Sequence, residues 1–463
     1  MATQLRKSSS ILVALLLALT PLTASAPMAS SRAQAAQATP ETMPDGLMSA
    51  FLAASAQHPK ADINSLIYLE QKVIASDGTA YDWFGSSVAL SGNTALVGAY
   101  QDNSCQGAAY VFVRSGMTWV QQAKLTASDG AADDCFGSSV ALSGDTALVG
   151  AVYDEIGTNA RQGSAYVFVR SGTTWTQQAK LTASDGAWDD DFGVSVALSG
   201  DTALVGAYLD DVGANKDQGS TYVFTRNGTI WTQQAQLTAS DGAEYDAFGE
   251  AVALSGDTAL VGAGENTIDA NASQGAAYVF TRSGTTWTQQ AQLIASDGAA
   301  EDYFGGSVAL SGDTALVVAS NDDVGANADQ GSAYVFTRSG MTWTQQAKLI
   351  ALDGAASDNF GRSVALSGDT ALVGADSDTV GANTDQGSAY VFTRNGTTWT
   401  QQSQLTASDG AAGDNFGVSV ALSGDTALVG AYWDDVGANT NQGAAYFYQP
   451  DLPFKVFLPR VLR

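Results

Sequence analysis

The chain has 463 residues, and 45% of them are apolar, which is enough to build a large buried core. Its formal net charge of −27 repels nucleic acid phosphates and anionic membrane surfaces, so DNA and RNA are excluded as expected partners. Glycine is abundant at 49 residues and proline is rare at 8, while β-branched and aromatic residues recur in short runs. This composition predicts an all-β protein with tight turns.

The first segment is typical of a secretory signal peptide. Arg6 and Lys7 precede an apolar run over residues 11–20, and Ala33-Gln34-Ala35 offers a cleavage site. We predict a signal peptide over 1–35 and a disordered linker over 36–60, so that the mature protein is secreted or displayed at the cell surface. No later run is apolar for long enough to span a membrane, so no transmembrane segment is expected.

One unit then recurs seven times. Each copy opens with Phe-Gly and continues as a version of S-V-A-L-S-G-D-T-A-L-V-G-A, first after 52 residues and then at intervals of 56. A fixed period of this length indicates one supersecondary unit that is copied and stacked. The signature phenylalanines are Phe84, Phe136, Phe192, Phe248, Phe304, Phe360 and Phe416.

Each copy contains four predicted strands, here called A to D. In the fifth copy, residues 305–311 and 314–319 flank a tight Gly-Asp turn and predict strands A and B. Residues 331–338 and 342–351 predict strands C and D, joined by a Ser-Gly turn. Four strands with hairpin connections are typical of a propeller blade. The small residues of strand A suit the crowded centre, and the tryptophan of strand D suits the wide rim.

The two ends of the array predict a closed ring. Residues 66–77 match strand D before the first Phe-Gly, and the last copy ends with strand C at 443–448. The N-terminal strand should therefore complete the last blade and leave no unpaired edge. We predict a seven-bladed β-propeller over 61–449, with a C-terminal tail over 450–463. An open solenoid would instead need capping units, which the sequence does not show.

Antiparallel order places the B–C and D–A loops on one face, here called the loop face. These loops carry most of the acidic residues. One aspartate in each D–A loop lies two positions before the phenylalanine: Asp82, Asp134, Asp190, Asp246, Asp302, Asp358 and Asp414. The B–C loops add the pairs Asp210 and Asp211, Asp322 and Asp323, and Asp434 and Asp435.

Two interpretations of these carboxylates stay open. Asp and Asn form Asx-turns and keep a repetitive β protein soluble. Clustered carboxylates beside loop carbonyls also suit Ca²⁺, which leaves calcium as a candidate cofactor with the B–C pairs as its ligands. The D–A aspartates are at the same time candidate contacts for a binding partner.

A few loop residues depart from the repeat. Trp83, Trp188 and Trp433 lie in loops of the acidic face, where aromatic side chains stack on sugars, grip a basic peptide or pack locally. Arg362 is another departure. The only cysteines, Cys105 and Cys135, lie near one blade boundary on this face, which favours a disulfide over two free thiols.

Catalytic signals are weak. The single histidine, His58, falls in the predicted linker, so a Ser-His-Asp triad or a histidine-ligated zinc site is not expected. Paired carboxylates could hydrolyse a glycoside, but these pairs recur in every copy, whereas an active site normally breaks the repeat. The sequence therefore predicts a protein that is not an enzyme.

Phe-Gly at the start of strand A and V-G-A at the end of strand B resemble the FG-GAP repeats of the integrin alpha-subunit propeller, and still more those of bacterial FG-GAP-type proteins. The resemblance covers residues 66–448 and implies a seven-bladed propeller whose loop face contacts partners. Integrin-type calcium sites lie in A–B hairpins with D-x-D-x-D-G. Here that hairpin is a tight L-S-G-D-T-A-L, so the resemblance does not carry those sites over.

Together these patterns predict a secreted or cell-surface, non-enzymatic adhesion scaffold that binds an extracellular protein or polysaccharide through the loop face. An extracellular carbohydrate-active enzyme or lectin using loop Asp and Trp residues is the first alternative. A purely structural surface protein is the second.

Overall fold

The computed structural model describes residues 68–450. The predicted signal peptide, the linker with His58, residues 61–67 and the tail after Pro450 lie outside the described residues. Within residues 68–450, 28 strands form seven four-stranded antiparallel sheets. The prediction of an all-β, seven-bladed propeller is therefore confirmed.

Blades 1 to 4 contain, from strand A to strand D, β2 (Val88–Ser91), β3 (Thr94–Ala99), β4 (Ala108–Ser115) and β5 (Thr118–Leu125); β6 (Phe136–Ser143), β7 (Thr146–Ala151), β8 (Ser164–Ser171) and β9 (Thr174–Leu181); β10 (Val196–Ser199), β11 (Thr202–Ala207), β12 (Ser220–Asn227) and β13 (Ile230–Leu237); β14 (Val252–Ser255), β15 (Thr258–Ala263), β16 (Ala276–Ser283) and β17 (Thr286–Leu293).

Blades 5 to 7 contain β18 (Phe304–Ser311), β19 (Thr314–Ala319), β20 (Ser332–Ser339) and β21 (Thr342–Leu349); β22 (Phe360–Ser367), β23 (Thr370–Ala375), β24 (Ser388–Asn395) and β25 (Thr398–Leu405); β26 (Ser419–Ser423), β27 (Thr426–Ala431), β28 (Ala444–Pro450) and β1 (Tyr68–Val73).

Strand β1 closes the ring. It pairs antiparallel with β28 in unbroken register from Tyr68↔Pro450 to Val73↔Ala445 and so serves as strand D of blade 7. The strand D of each of blades 1 to 6 carries a β-bulge, for example opposite Val111 and Phe112 in blade 1. The closing strand lacks this bulge. As predicted, the N-terminal strand completes the last blade and covers its open edge.

The absence of the bulge from the closing strand changes the contacts of the tryptophan at the interface between blades 7 and 1. In blades 2 to 6 the indole nitrogen of the strand-D tryptophan donates to a glutamine of the preceding blade, as from Trp175 to Gln122 at 3.0 Å. Blade 7 has no equivalent glutamine, and the buried indole nitrogen of Trp119 has no partner among the described residues. Trp119 instead stacks on Phe447 at 4.1 Å, and its backbone N–H donates to Gln71 at 2.7 Å.

The Phe-Gly signature seals one blade against the next. All seven phenylalanines are fully buried. Phe84, for example, lies edge-on to Tyr110 and Phe112 at 5.5 and 6.0 Å between ring centroids. The glycine that follows, Gly85, has a φ of 93°, and a Cβ there would lie 2.3 Å from the carbonyl oxygen of Ala444. Only glycine fits, because this backbone is left-handed and pressed against its neighbour.

Hydrogen bonds between loops fix the two faces. The D–A loop before blade 1 donates from Phe84 N to Gln442 O and from Tyr81 N to Thr440 O, both in the B–C loop of blade 7. D–A and B–C loops therefore lie on the same face, as predicted. The A–B and C–D turns lie on the opposite face, where Arg338 donates to Asp313 of its own blade and to Thr258 of the preceding blade.

Candidate functional site

The repeated D–A aspartates form the turns of their own loops. Each accepts a backbone N–H from the residue three positions earlier, at 2.5 to 2.7 Å, in the way that Thr79 donates to Asp82. All seven are buried, with 3 to 6% of their surface exposed. Burial raises their pKa, to about 6 at Asp190 and Asp414. That these carboxylates contact a partner stays a prediction, and their geometry favours the Asx-turn interpretation.

A second set of aspartates is held by a buried tyrosine of strand C and by a side chain of strand D. In blade 2, Lys180 lies 2.8 Å from Asp129 and 2.7 Å from Asp154, and the Tyr166 hydroxyl lies within hydrogen-bond distance of both carboxylates, at 3.0 and 2.9 Å. Lys72, Lys124 and Lys348 do the same in blades 7, 1 and 5. Glutamine replaces this lysine in blades 3, 4 and 6. The acidity of the loop face is thus partly neutralised from within.

The candidate calcium ligands are also engaged. Asp210, Asp322 and Asp434 are buried beneath the loops and bonded to strand C, as Tyr222 donates to Asp210 at 3.1 Å. Asp211, Asp323 and Asp435 each accept a backbone N–H from the residue six positions later, at 2.8 to 3.0 Å. Across residues 68–450, no three Asp, Glu, His or Cys side chains converge as a metal site would require. That the pairs bind Ca²⁺ stays a prediction, and their carboxylates would have to give up these bonds to supply any of its six to eight oxygen ligands.

The three loop tryptophans occupy different places. Trp188 is 65% exposed at the tip of a D–A loop. Trp83 lies inward, edge-on to Tyr100 at 5.3 Å and to Tyr432 at 5.8 Å. Trp433 is 38% exposed and tilts against Tyr432 at 4.9 Å. Two of the three therefore belong to one aromatic cluster, and the third is separate from it.

That cluster is part of a ring of unlike residues around the propeller axis. Each blade contributes four positions to this ring. They are the residue directly after Phe-Gly, the two residues directly after strand B, and the residue directly before the phenylalanine. We call it the axial mouth. Its aromatic sector is Trp83, Tyr100, Tyr153, Tyr208, Tyr432 and Trp433, and its charged sector is Glu250, Glu265, Arg362 and Asp376. A further ion pair, Asp191 with Arg161, lies beside Tyr153 and Tyr208.

Arg362 lies at the centre of the charged sector. It is exposed, and its Nε is 3.5 Å from Asp376 Oδ2 in the same blade. Burial raises the pKa of Glu250, Tyr100 and Tyr432, and the charge of Arg362 opposes the rise in all three. Since those groups belong to blades 4, 1 and 7, the guanidinium acts across the axis rather than within one blade.

Glu250 is the most perturbed carboxyl of the mouth. Burial, with added repulsion from Glu265, raises its pKa to about 7. The same residue in the other copies is Ser, Val, Gly or Arg, so no repeat constraint explains a glutamate here. A carboxyl that titrates near neutrality in a cleft is a functional-site candidate on physical grounds.

Two polar atoms in this region lack hydrogen-bond partners within residues 68–450. They are the indole nitrogen of Trp83 and the Oδ1 atom of Asn415, and both are buried. Asn415 is only 7% exposed, and its amide donates to the carbonyl oxygen of Asp376 at 3.1 Å. An unsatisfied buried polar atom costs free energy, so each is a place where a ligand or water would be stabilised.

Comparison with protein families assigns the chain. The FG-GAP repeat family matches residues 68–112, 119–168, 175–224, 231–280, 287–336, 343–392 and 399–448. The chain belongs to the FG-GAP repeat family. Each matched FG-GAP repeat begins on an outer strand and ends on the third strand of the following blade, so the sequence repeat is offset from the blade by one strand. A comparison with curated proteins finds no match.

The FG-GAP propeller resembles that of integrin alpha subunits, as expected from its motifs. Within residues 68–450 it contains no helix that is both long and apolar enough to cross a bilayer. Its one short helical turn, α1 (Asp102–Cys105), has left-handed backbone at Asn103 and Ser104 and lies in the B–C loop of blade 1.

The B–C loop of blade 1 differs from the other B–C loops because a disulfide joins it to the following D–A loop. Cys105 and Cys135 are paired, with 4.6 Å between their Cα atoms. In the longer B–C loops an Asn side chain binds the facing D–A loop, as Asn215 Nδ2 donates to Gly242 O at 3.0 Å. Blade 1 has a loop four residues shorter, in which Asn103 donates to Gln106 and Gln106 Nε2 in turn donates to Gly130 O of the facing D–A loop at 2.7 Å. The disulfide adds a covalent link between the same two loops and packs against Val152 and Tyr100 beside the axial mouth.

Sequence reasoning noted Trp83, Trp433, Arg362 and the cysteines as scattered departures from the FG-GAP repeat. The structure brings them to one end of the axis. Sequence reasoning missed the tyrosines at 100, 153, 208 and 432, and it also missed Glu250, Glu265 and Asp376. Comparing the seven copies column by column would have found them, because these columns vary while their neighbours do not.

Proposed function

We propose that this FG-GAP protein is a non-enzymatic binding scaffold that works outside the cell and recruits an extracellular protein or polysaccharide through its loop face. One observation carries the proposal. Trp83, Arg362 and Trp433, which differ from their counterparts in the other copies, meet at the axial mouth, whereas the repeated carboxylates are bonded within the protein. A surface that breaks the symmetry of its scaffold is where recognition of an unsymmetrical partner is expected.

Two features support work outside the cell. The chain carries a predicted signal peptide, and its only cysteines form a disulfide, which is stable in oxidising compartments. For adhesion, the exposed part of the mouth combines aromatic rings with a rim of charge. That composition is typical of binding surfaces, in which a few aromatic and arginine side chains supply most of the affinity.

A carbohydrate-active enzyme is the second candidate, and Glu250 favours it. A carboxyl with a pKa of about 7 beside further carboxylates resembles the acid of a glycosidase pair. The third candidate, a purely structural surface protein, is favoured by the repeated hydrogen bonds of the loops, which stabilise the ring without any ligand.

The test is a screen of the full secreted chain against glycan and polysaccharide panels and against basic extracellular proteins. Turnover is measured in parallel as the release of reducing ends. The proposal expects binding without turnover, with affinity lowered by substitutions on the loop face and not by Arg338→Gln on the opposite face. Hydrolysis that disappears in Glu250→Gln would establish the enzyme instead. A complete lack of binding in every panel would favour the structural role.

A further inference from the structure

We propose that the axial mouth is a saccharide site that takes the end of a neutral glycan, with a sugar ring stacked on the aromatic sector and its hydroxyl groups bonded to the charged sector. This rests on the proposed function and adds the place on the loop face and the class of ligand. It also removes the repeated D–A aspartates from the binding surface, because they are buried in their own turns.

The aromatic sector supplies a stacking platform. Trp433 is 38% exposed and tilts against Tyr432, and Tyr153 is 39% exposed with the Arg161 guanidinium over one side of its ring at 4.3 Å from the centroid. Trp83 is fixed edge-on between Tyr100 and Tyr432, so these rings are held in place before a ligand arrives. Rigid aromatic rings with one apolar face suit the C–H face of a sugar, and their prior order lowers the entropic cost of binding.

The charged sector supplies hydrogen bonds. The exposed guanidinium of Arg362 offers a fork of donors, and its one ion pair within residues 68–450 is with Asp376 at 3.5 Å. The carboxylates of Glu265 and Asp376 are acceptors, and Glu250 changes from donor to acceptor near neutral pH. Neighbouring hydroxyl groups on a sugar both donate and accept, so they can satisfy such a mixed set.

The two unpartnered atoms point to a polar ligand at this place. Asn415 Oδ1 is a buried acceptor and Trp83 Nε1 is a buried donor, and neither is bonded within residues 68–450. Asn415 is attached to the backbone of Asp376, which carries the carboxylate that faces Arg362. A hydroxyl group can serve either atom, whereas an apolar ligand would leave both unsatisfied.

Charge disfavours an anionic ligand. An anionic sugar or phosphate would meet Glu250, Glu265 and Asp376 as well as a molecule of net charge −27. Arg362, whose charge reaches groups on three other blades, opposes a basic ligand, but the same carboxylates attract one, so the hexalysine probe decides this class. The stacking rings and the mixed set of donors and acceptors favour a ligand that is rich in hydroxyl groups.

The test is calorimetric titration of the full chain with cellohexaose, mannohexaose and chitohexaose as neutral probes. Tetragalacturonate serves as the anionic probe and hexalysine as the cationic probe. The variants are Trp433→Ala and Arg362→Gln. Their matched controls on the same face are Trp188→Ala, which removes an exposed tryptophan outside the mouth, and Lys216→Gln, which removes an exposed cation of a B–C loop. Melting temperatures establish that all four variants fold.

We expect at least one neutral hexasaccharide to bind, with affinity about tenfold lower in Trp433→Ala and in Arg362→Gln and unchanged in the controls. Neutral binding that both mouth variants retain would overturn the proposal, as would mouth-dependent binding of hexalysine or tetragalacturonate alone. If no neutral probe binds but the chain still captures a protein or polysaccharide in the wider screen, the saccharide site fails and the scaffold function stands. If nothing binds in either experiment, both fail.

Discussion

The turns opposite the loop face and the axial mouth solve different problems with the same seven blades. In blades 2 to 6 an arginine donates to an Asp of its own A–B turn and to a Thr of the preceding blade, as Arg338 does to Asp313 and Thr258. At the mouth, no column of residues is uniform. The turns gain stability because these five copies are alike, and their bonds join blades 1 to 6 in succession. The mouth gains because the copies differ, since seven identical residues could form only a symmetric ring.

The largest expected effect is the difference in free energy of unfolding between a substitution in the core beneath the mouth and one at the mouth. Phe360→Ala removes a fully buried ring that packs on Tyr390 and Phe392, and should lower the free energy of unfolding by about 3–5 kcal/mol. Trp433→Ala removes a larger aromatic side chain from the mouth and should change the free energy of unfolding by no more than about 0.5 kcal/mol. Urea unfolding followed by tryptophan fluorescence measures both.

Equal losses in the two variants would show that the mouth is part of the structural frame. The distinction between residues that stabilise the blades and residues that recognise a ligand would then be wrong, and Trp433 would belong to the core.

The seven blades and their closing strand were largely predictable from the sequence, whereas the residues of the axial mouth were not. Phe-Gly at Phe84 and its six copies gave the blade count, and an outer strand before the first copy predicted the closing strand β1. Such features repeat, so each copy supports the others. Residues such as Tyr100 and Glu250 occur once, and they meet only because the ring brings positions many residues apart to one axis.

The acidic loops show a second limit. Sequence places Asp190 and Asp246 in loops of an acidic face, which is correct, but exposure does not follow from that position. Both carboxylates turn back to accept a backbone N–H three residues earlier and are 3% exposed. A pattern of loop aspartates does not distinguish a carboxylate that faces a partner from one that holds its own turn.

The next largest effect is the loss of stability caused by burying the charge of Glu250 at the axial mouth. Because burial raises the folded-state pKa of Glu250 from 4.5 to about 7, the folded protein holds this proton more tightly than the unfolded chain. The glutamate's contribution to stability therefore falls as pH rises from about 4.5 to about 7 and stays low above that. Glu250→Gln removes the buried charge and should stabilise the protein by about 1–3 kcal/mol at pH 8 but not at pH 4.

The measurement is a series of urea unfolding curves between pH 4 and pH 8 for Glu250→Gln and for Glu244→Gln, an exposed glutamate in the D–A loop of the same blade. Only the first should diverge from the unmodified protein as pH rises. A constant difference at every pH would mean that the substitution acts through packing rather than through ionisation.

A smaller effect is expected from the turns opposite the loop face. Arg338→Gln removes one ion pair with Asp313, whose side chain is 67% exposed, and one cation–π contact with Trp343. Exposed ion pairs contribute little, so the loss should be about 0.5–1 kcal/mol and should shrink in high salt. Arg114→Gln is the control, because Asn93 stands where the other copies have Asp. Equal losses at low salt would mean that the arginine stabilises by packing alone.

The smallest expected effect is that of calcium. Asp211, Asp323 and Asp435 already accept backbone N–H groups, and Asp210, Asp322 and Asp434 are bonded to strand C, so binding an ion would first require breaking these contacts. A site filled to about 100 times its dissociation constant would stabilise the fold by about 2.7 kcal/mol, which a melting curve resolves easily. We expect the same melting temperature in millimolar calcium and in chelator. A rise in calcium that disappears in Asp211→Asn would instead place an ion in the B–C loop of blade 3 and show that the loop carboxylates exchange their internal bonds for a metal.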